Sequence, residues 1–438
     1  MKAGFYTLGC KLAQSESEAL ASAFGSQGFS VSDVDEDSDL YIVSTCTVTS
    51  KAEQKARRMI RKLSREHPQA SLIVTGCYAQ LERDELEALG DNIVVVPQEK
   101  KHILLSLPEA ARTACSSGSF GTEFLRDWAR GTEGGGDVFS FSSPVQHFHS
   151  RAFLKIQDGC NNRCAYCRVP LARGNSVSLS LTEVLRRAKD LAEAGYREIV
   201  ITGINISAYR DGSYTLADCV SSLTETVKGV RFRLSSLEPD QVDERLASAL
   251  SHDAVCPHFH IPVQSGSDRV LSLAKRHYTS SGLRDTIRLL REARPGCFIA
   301  ADIIVGLPGE TEEDFFATES LIRELDLAQL HVFPFSQRPG TPFFKAQNLV
   351  PERVRDERAS VLRALSESLH AAYVAGCKGK LLNVLIEERD GRGMVSGFSE
   401  NYVKITVSGV PPTIPEGSII PVLLTHTSPA VRGKLFEE

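Results

Sequence analysis

Three cysteines carry the clearest chemistry in this chain: Cys160, Cys164 and Cys167, in the stretch Gly159-Cys160-Asn161-Asn162-Arg163-Cys164-Ala165-Tyr166-Cys167. The C-x3-C-x2-C spacing offers three thiolates in one tight loop. Iron–sulfur cubanes are held by cysteine thiolates, normally four of them. Three close cysteines with no obvious fourth leave one iron open for a small ligand. A zinc knuckle is the alternative, but structural zinc takes four closed ligands. Arg168, Val169 and Pro170 do not continue a ligand pattern. The iron–sulfur reading is therefore preferred on the motif itself.

Cys10, Cys46 and Cys77 form a second set of a different kind. They are far apart in sequence, yet each comes just after an apolar strand-like run. In an open α/β sheet, loops beyond the carboxyl ends of the strands share one crevice. Three thiols placed this way converge in space and suggest a second metal site. The plainer alternative is three unrelated buried cysteines, a common fate for this residue.

The elements that position these residues follow from hydrophobic periodicity. Strand patterns at residues 4–8, 40–44, 71–75 and 93–96 alternate with helical spacing, as at 17–27. Such alternation implies a parallel sheet with crossover helices, hence an open α/β domain over residues 1–115. Residues 116–148 break the pattern with Ser116-Ser117-Gly118-Ser119 and Gly134-Gly135-Gly136, the composition of a linker. The single tryptophan, Trp128, lies there, so part of this stretch is expected to pack on a domain.

Alternation resumes at residue 149. Six strand patterns follow (153–157, 198–202, 231–235, 258–263, 298–305 and 330–335), with helical patterns between them. Six units are two short of a full eight-unit barrel, which predicts a partial (β/α)6 barrel ending with a long helix over 352–375. In such barrels the loops after the strands build the site, and the C-x3-C-x2-C loop follows the first strand. From 377 to 438 the period shortens, with strand patterns at 382–387, 393–396, 402–407 and 419–424 between glycines. Short strands with Gly turns predict a small β barrel, a module that often binds RNA.

Composition bounds the rest. The chain has 438 residues, 42% hydrophobic and 24% charged, enough for several globular domains. Apolar runs are too short for a membrane span, and the N-terminus lacks the apolar region of a secretory signal. A cytoplasmic protein whose eleven cysteines are thiols or ligands rather than disulfides is the expectation. Net charge is −5, so nucleic acid must be met by local patches. The clearest is the helical pattern from Lys51 to Arg65, with Lys55, Arg57, Arg58 and Arg61 as candidate RNA contacts. A solvated helix face is the alternative. Cys115, Cys219, Cys256, Cys297 and Cys377 have no ligand spacing and read as plain thiols.

Taken together, these stretches resemble the radical S-adenosylmethionine methylthiotransferases over nearly the whole chain. The resemblance rests on Thr7-Leu8-Gly9-Cys10, Ser44-Thr45-Cys46-Thr47-Val48-Thr49, Thr75-Gly76-Cys77-Tyr78-Ala79-Gln80 and the C-x3-C-x2-C loop. It implies an auxiliary-cluster N-terminal domain, a TIM-like radical SAM barrel and a C-terminal TRAM module. Cys46-Thr47-Val48-Thr49-Ser50-Lys51-Ala52, Arg233-Leu234-Ser235-Ser236-Leu237-Glu238-Pro239 and His331-Val332-Phe333-Pro334-Phe335-Ser336 are most similar to the branch acting on threonylcarbamoyladenosine in tRNA. One departure stands out. Many members follow the cluster loop with Arg-Gly-x-x-Arg-Ser, whereas here Arg173-Gly174 leads to Asn175-Ser176-Val177-Ser178 and the second arginine is missing.

The resemblance implies the following chemistry. The target is C2 of an adenine, whose C–H bond is not acidic, so general acid–base catalysis cannot start the reaction. A cofactor must supply a radical. Two [4Fe-4S] clusters and S-adenosylmethionine are implied. The cluster on Cys160, Cys164 and Cys167 would bind and cleave S-adenosylmethionine, and the one on Cys10, Cys46 and Cys77 would carry the sulfur. Candidate cofactor contacts are Tyr166, Gly203, Ser235, Glu238, Gln264 and Gly306. The implied partners are a tRNA carrying threonylcarbamoyladenosine, an electron donor and a sulfur donor, with the enzyme a monomer. The alternatives are the isopentenyladenosine branch of the same family and a non-catalytic RNA-binding protein with zinc on both cysteine sets.

Overall fold

The computed structural model describes residues 1–34, 36–132, 136–141, 150–391 and 393–436. The chain divides into two compact units. The first comprises Met1–Phe148, Asp158–Val177 and Ser336–Phe344, and the second His149–Gln157, Ser178–Phe335 and Lys345–Glu438. Both cysteine sets therefore belong to the first unit.

In the first unit, β1 (Lys2–Thr7), β2 (Ser30–Asp33), β3 (Leu40–Thr45), β4 (Ser71–Gly76) and β5 (Ile93–Val95) form one parallel sheet in the order β2-β1-β3-β4-β5. β3 and β4 are buried at every position, as befits parallel strands covered on both faces. Successive residues point to opposite faces. Leu40, Ile42 and Ile73 join one core with Leu20 and Phe24 of α1 (Lys11–Ser26). Tyr41, Val43, Leu72 and Val74 join the other with Ala56, Ile60 and Leu63 of α2 (Ser50–Glu66). The apolar residues of α2 recur at helical spacing, which fixes its buried stripe. The Thr49 side chain caps its start by accepting from the Ala52 N–H. β2, a half-exposed polar strand, escaped the sequence reading because it carries no apolar run. Within residues 116–148 the helix Thr122–Gly131 buries Leu125 and packs Trp128 on the first core. Gly134 and Gly135 lie outside the described residues.

In the second unit, six parallel strands match the six expected: β6 (Ala152–Lys155), β7 (Glu198–Thr202), β8 (Arg231–Leu234), β9 (His258–Gln264), β10 (Phe298–Val305) and β11 (Gln329–Pro334). They pair as two ladders, β6-β7-β8 and β9-β10-β11, joined by bridges Phe232↔Val255 and Ser236↔His260. The helices between them start at side-chain caps such as Ser180 and the Thr311/Asp314 capping box. The long helix Glu352–Ala375 leads to a closed barrel of β12 (Leu381–Arg389), β13 (Val395–Ser399), β14 (Lys404–Ser408), β15 (Ile419–His426) and β16 (Arg432–Leu435). Four of these strands were expected. The fifth, β16, is short and its sequence Arg-Gly-Lys-Leu has little strand signal.

The small barrel covers the amino ends of the six strands. Glu198, the first residue of β7, is fully buried and pairs with Arg233 at 2.7 Å and with Arg231 at 2.7 Å. Both arginines also donate to barrel carbonyls: Arg231 to Asn383 and Phe398, Arg233 to Ser399 and Glu400. Tyr402 stacks on Phe398 and lies 4.3 Å from the ring of His258 at the start of β9. The carboxyl ends of the strands are thereby left for the site, as barrels of this kind require.

Candidate metal centres and cofactor site

Cys10 is the N-cap residue of α1 after β1, Cys46 follows β3, and Cys77 opens the short helix α3 (Cys77–Leu81) after β4. β1 and β3 are neighbours whose following helices cover opposite faces, so Cys10 and Cys46 flank the point where strand order reverses. That crevice is where open α/β sheets bind ligands. The loops are in close register. The Leu8 N–H donates to the Ser44 carbonyl at 2.8 Å. A Cβ added to Gly9 would lie 3.8 Å from the Cys46 Cβ. Gly76, with φ +100°, passes so near Thr45 that a Cβ would sit 2.4 Å from its carbonyl oxygen, so only glycine brings Cys77 into this position.

The Cys160 loop is equally tight. Gly159, at φ +69°, would place a Cβ 2.0 Å from the Asn175 carbonyl oxygen. The Cys160 N–H donates to the Gly174 carbonyl and the Cys167 N–H to the Cys164 carbonyl, each at 3.1 Å. Arg163 donates to Asn175, and the Ser176 N–H to Asn161. Asn175 and Ser176, the two residues after Arg173-Gly174, thus lock the loop, while Val177 stands 45% exposed where the second arginine is missing. Cys164 is buried; Cys160, Cys167 and Tyr166 are half-buried.

The donor set fits iron–sulfur chemistry. Among the described residues no three His, Cys, Asp or Glu side chains are gathered to hold a single metal ion. Sulfur atoms of both sets accept hydrogen bonds: Cys46 Sγ from the Val48 N–H at 3.4 Å, Cys160 Sγ from the Asn162 N–H at 3.5 Å, and Cys77 Sγ from Arg173 Nε at 3.2 Å. Hydrogen bonds to sulfur are among the protein's means of setting a cluster's potential. Burial pushes the Cys46 thiol up to about 12, reinforced by the nearby Cys10 and Cys77 and opposed by the Val48 N–H. Burial likewise raises Cys77, with the Arg173 guanidinium opposing it.

Sequence reasoning missed the charged network around these cysteines. Arg168, directly after Cys167, is buried and donates to Glu53 at 3.1 Å and to Thr47, the neighbour of Cys46, at 3.4 Å. It also pairs with Glu82. Arg338 joins the same Glu53 and donates to the Thr47 carbonyl at 3.0 Å. Arg173 bonds Glu16 and Asp158 in addition to Cys77. Lys101 closes the set, 2.9 Å from Glu16 and 3.3 Å from Ser44 Oγ. Isolated charges of this kind look like surface residues in a sequence. Only the fold reveals their partners.

The candidate cofactor residues of the second unit lie at the carboxyl ends of successive strands. Gly203 follows β7, Ser235 follows β8, Gln264 ends β9 and Gly306 follows β10. A Cβ on Gly203 would meet the Gln157 carbonyl at 2.9 Å. Ser235 and Gln264 are buried, and Gln264 takes φ +62°. Glu238 pairs with the buried Arg276, and its N–H donates to Ser207 Oγ at 2.9 Å. Burial raises the Glu238 carboxyl although Arg276 opposes it. The Gly306 N–H donates to Glu310 at 2.9 Å.

On α2, Lys55, Arg58 and Arg61 are exposed. Arg57 is turned inward, bonded to Tyr78 and 3.2 Å from Glu85. Cys219, Cys256, Cys297 and Cys377 are buried, and burial raises all four thiols, as it does the half-buried Cys115.

Comparison with known proteins agrees with this architecture. The Radical SAM superfamily matches residues 154–322, and the uncharacterized protein family UPF0004 matches residues 2–96. The threonylcarbamoyladenosine tRNA methylthiotransferase MtaB of Treponema pallidum is 38% identical over 92% of this chain and 93% of its own. The protein of the same name from Bacillus subtilis is 36% identical over 95% and 92%. Among solved structures, the fold is similar to the radical S-adenosylmethionine methyltransferase TsrM from Kitasatospora setae, at TM-score 0.54 and 17% identity over 78% of this chain and 76% of that one. No helix among the described residues is long and apolar enough to cross a membrane. Membership in the radical SAM superfamily brings S-adenosylmethionine and a [4Fe-4S] cluster with it. From the strand-end cysteines to the small closing barrel, the chain belongs to the MtaB-type methylthiotransferase family of radical SAM enzymes.

Proposed function

We propose that this enzyme methylthiolates C2 of N6-threonylcarbamoyladenosine at position 37 of tRNA, in the cytoplasm, and that it holds two [4Fe-4S] clusters. The observation that supports this reading is the presence of two separate three-cysteine sets within one compact unit, each with N–H donors directed at sulfur. Clusters bound at both sets would supply reductive cleavage of S-adenosylmethionine at one and delivery of methylated sulfur at the other.

The chain's own residues do the rest. Cys160, Cys164 and Cys167 would hold the first cluster, and Cys10, Cys46 and Cys77 the second. Gly203 and Gly306 give a ligand access to the backbone at the strand ends. Ser235, Glu238 and Gln264 offer hydrogen bonds for the cofactor's polar groups, and Tyr166 an aromatic face for its adenine. Arg276 orients the Glu238 carboxylate. An electron donor and a sulfur donor complete the set of partners, with the enzyme itself a monomer.

Deleting the gene tests the substrate. The 2-methylthio form of threonylcarbamoyladenosine should vanish from tRNA hydrolysates, with the unmodified nucleoside accumulating, and a plasmid copy should restore it. Unchanged methylthio content of that nucleoside rejects the assignment, and loss of the isopentenyl counterpart transfers it to the sister branch.

The exposed face of α2 should bind tRNA phosphates. Reversing Lys55, Arg58 and Arg61 to glutamate is expected to weaken binding and to flatten the salt dependence by about 0.7–0.9 in log–log slope for each phosphate that is no longer neutralised. Iron content should stay the same. Arg57 is left in place because Tyr78 and Glu85 already occupy it. Unchanged affinity and slope would remove this helix from the RNA interface.

A further inference from the structure

We propose that Arg173 is a positioning residue that couples the two cysteine sets, holding Cys77 through its Nε while its Nη1 grips Asp158 in the segment leading into Cys160. The inference rests on the two-cluster reading and gives that reading a residue-level link.

All three nitrogens of the guanidinium are in use. Nε donates to Cys77 Sγ at 3.2 Å. Nη1 donates to Glu16 at 3.0 Å and to both carboxylate oxygens of Asp158, at 2.9 and 3.1 Å. Nη2 donates to Glu16 at 3.2 Å. Asp158 in turn accepts from the N–H of Gly159 at 2.7 Å, one residue before Cys160. Glu16 lies on α1, which starts beside Cys10. One side chain therefore touches the loops of Cys77 and Cys160 and the helix after Cys10.

The site is dry. Side chains of Glu16, Lys101, Asp158 and Arg173 are all 3% exposed or less. Their charges sum to zero: two carboxylates against a guanidinium and an ammonium. Partial dismantling of such a cluster is strongly unfavourable, whereas the intact set is roughly neutral for stability. Stability alone is thus a weak reason for a charged quartet here. A planar fork that serves two carboxylates and still directs one N–H at sulfur is a task for arginine, and a lysine ammonium cannot span it. A cationic donor on a thiolate sulfur favours the reduced, more negative state of a cluster bound there.

The test uses the full chain with Cys160, Cys164 and Cys167 changed to alanine, reconstituted anaerobically with iron and sulfide. This background is expected to hold about four irons, one cubane. Its midpoint potential is then followed by electron paramagnetic resonance during a redox titration. Arg173→Gln should disfavour reduction about tenfold, a shift of 59 mV to more negative potential for a one-electron couple. Arg173→Lys, which keeps the charge and loses the fork, should shift it less in the same direction. Asp158→Asn, beside the other cysteine set, should also shift it, because Asp158 fixes the guanidinium. Iron retained with an unmoved potential in Arg173→Gln and Asp158→Asn overturns the coupling role and leaves the two-cluster reading standing. A background protein without iron overturns both.

Discussion

Replacing Cys10, Cys46 and Cys77 with alanine should yield an enzyme that still cleaves S-adenosylmethionine but forms no methylthio product. Iron should fall from about eight to about four per chain, the loss of one cubane. Deoxyadenosine should still appear when a reductant is supplied. The reciprocal replacement of Cys160, Cys164 and Cys167 should abolish deoxyadenosine and product together. Removing the only source of a radical forfeits the catalysed route, a loss on the order of 10⁶-fold or more given usual enzymatic accelerations. Liquid chromatography of the nucleosides and an iron assay on the same samples check both halves. Loss of deoxyadenosine in the first variant would refute the division of labour between the sets.

Glu198→Gln is expected to destabilise the second unit by about 3–5 kcal/mol, the usual range for breaking a buried ion pair from one side. That is a large share of the roughly 5–15 kcal/mol that holds a domain together. The reason is local. Arg233 is fully buried against Glu198, with Arg231 and Arg151 on the same carboxylate. Removing the Glu198 charge leaves the Arg233 guanidinium without a carboxylate between the strand ends and the barrel carbonyls, while Arg151 keeps Glu387 and Arg231 keeps Glu400 at 4.0 Å. Burial alone would raise the Glu198 carboxyl, but Arg233, Arg231 and Arg151 outweigh it and hold it well below the ordinary range. A lowered native pKa contributes stability that is complete above the unfolded value, about 4.3, and is lost as pH falls below it. The variant should lack that acid-sensitive component. Urea melts of both proteins at pH 7 and pH 4 measure the difference. Equal stability at pH 7 would show that the carboxylate does not anchor the barrel.

Much of this architecture was legible in the sequence because apolar runs and cysteines are strong local signals. β7 and β10 lie where the alternation put them, at Glu198–Thr202 and Phe298–Val305. The fold class, an open parallel sheet followed by a six-strand partial barrel and a small closed barrel, follows from the same periodicity. β2 and β16 were missed since neither is apolar enough to announce itself; each is held by pairing with a neighbour, β1 in one case and β14 and β15 in the other. The cysteines and the strand-end residues Gly203, Ser235 and Gly306 were visible through their position after strands. Arg168, Arg173, Arg338, Glu16 and Lys101 were not. Their role depends on partners up to 291 residues away, and no local pattern separates a buried charge from a solvated one. Arg57 shows the converse: helical spacing placed it among basic surface residues, while Tyr78 and Glu85 draw it inward.

A single reaction puts the proposed two-cluster methylthiotransferase to the proof. Anaerobically reconstituted enzyme, S-adenosylmethionine, a chemical reductant and tRNA bearing threonylcarbamoyladenosine are combined, and the digested tRNA is analysed by mass spectrometry. A new nucleoside should form alongside deoxyadenosine, heavier by one methylthio group in place of hydrogen. Deoxyadenosine without that nucleoside, from protein carrying about eight irons, would contradict the proposed reaction.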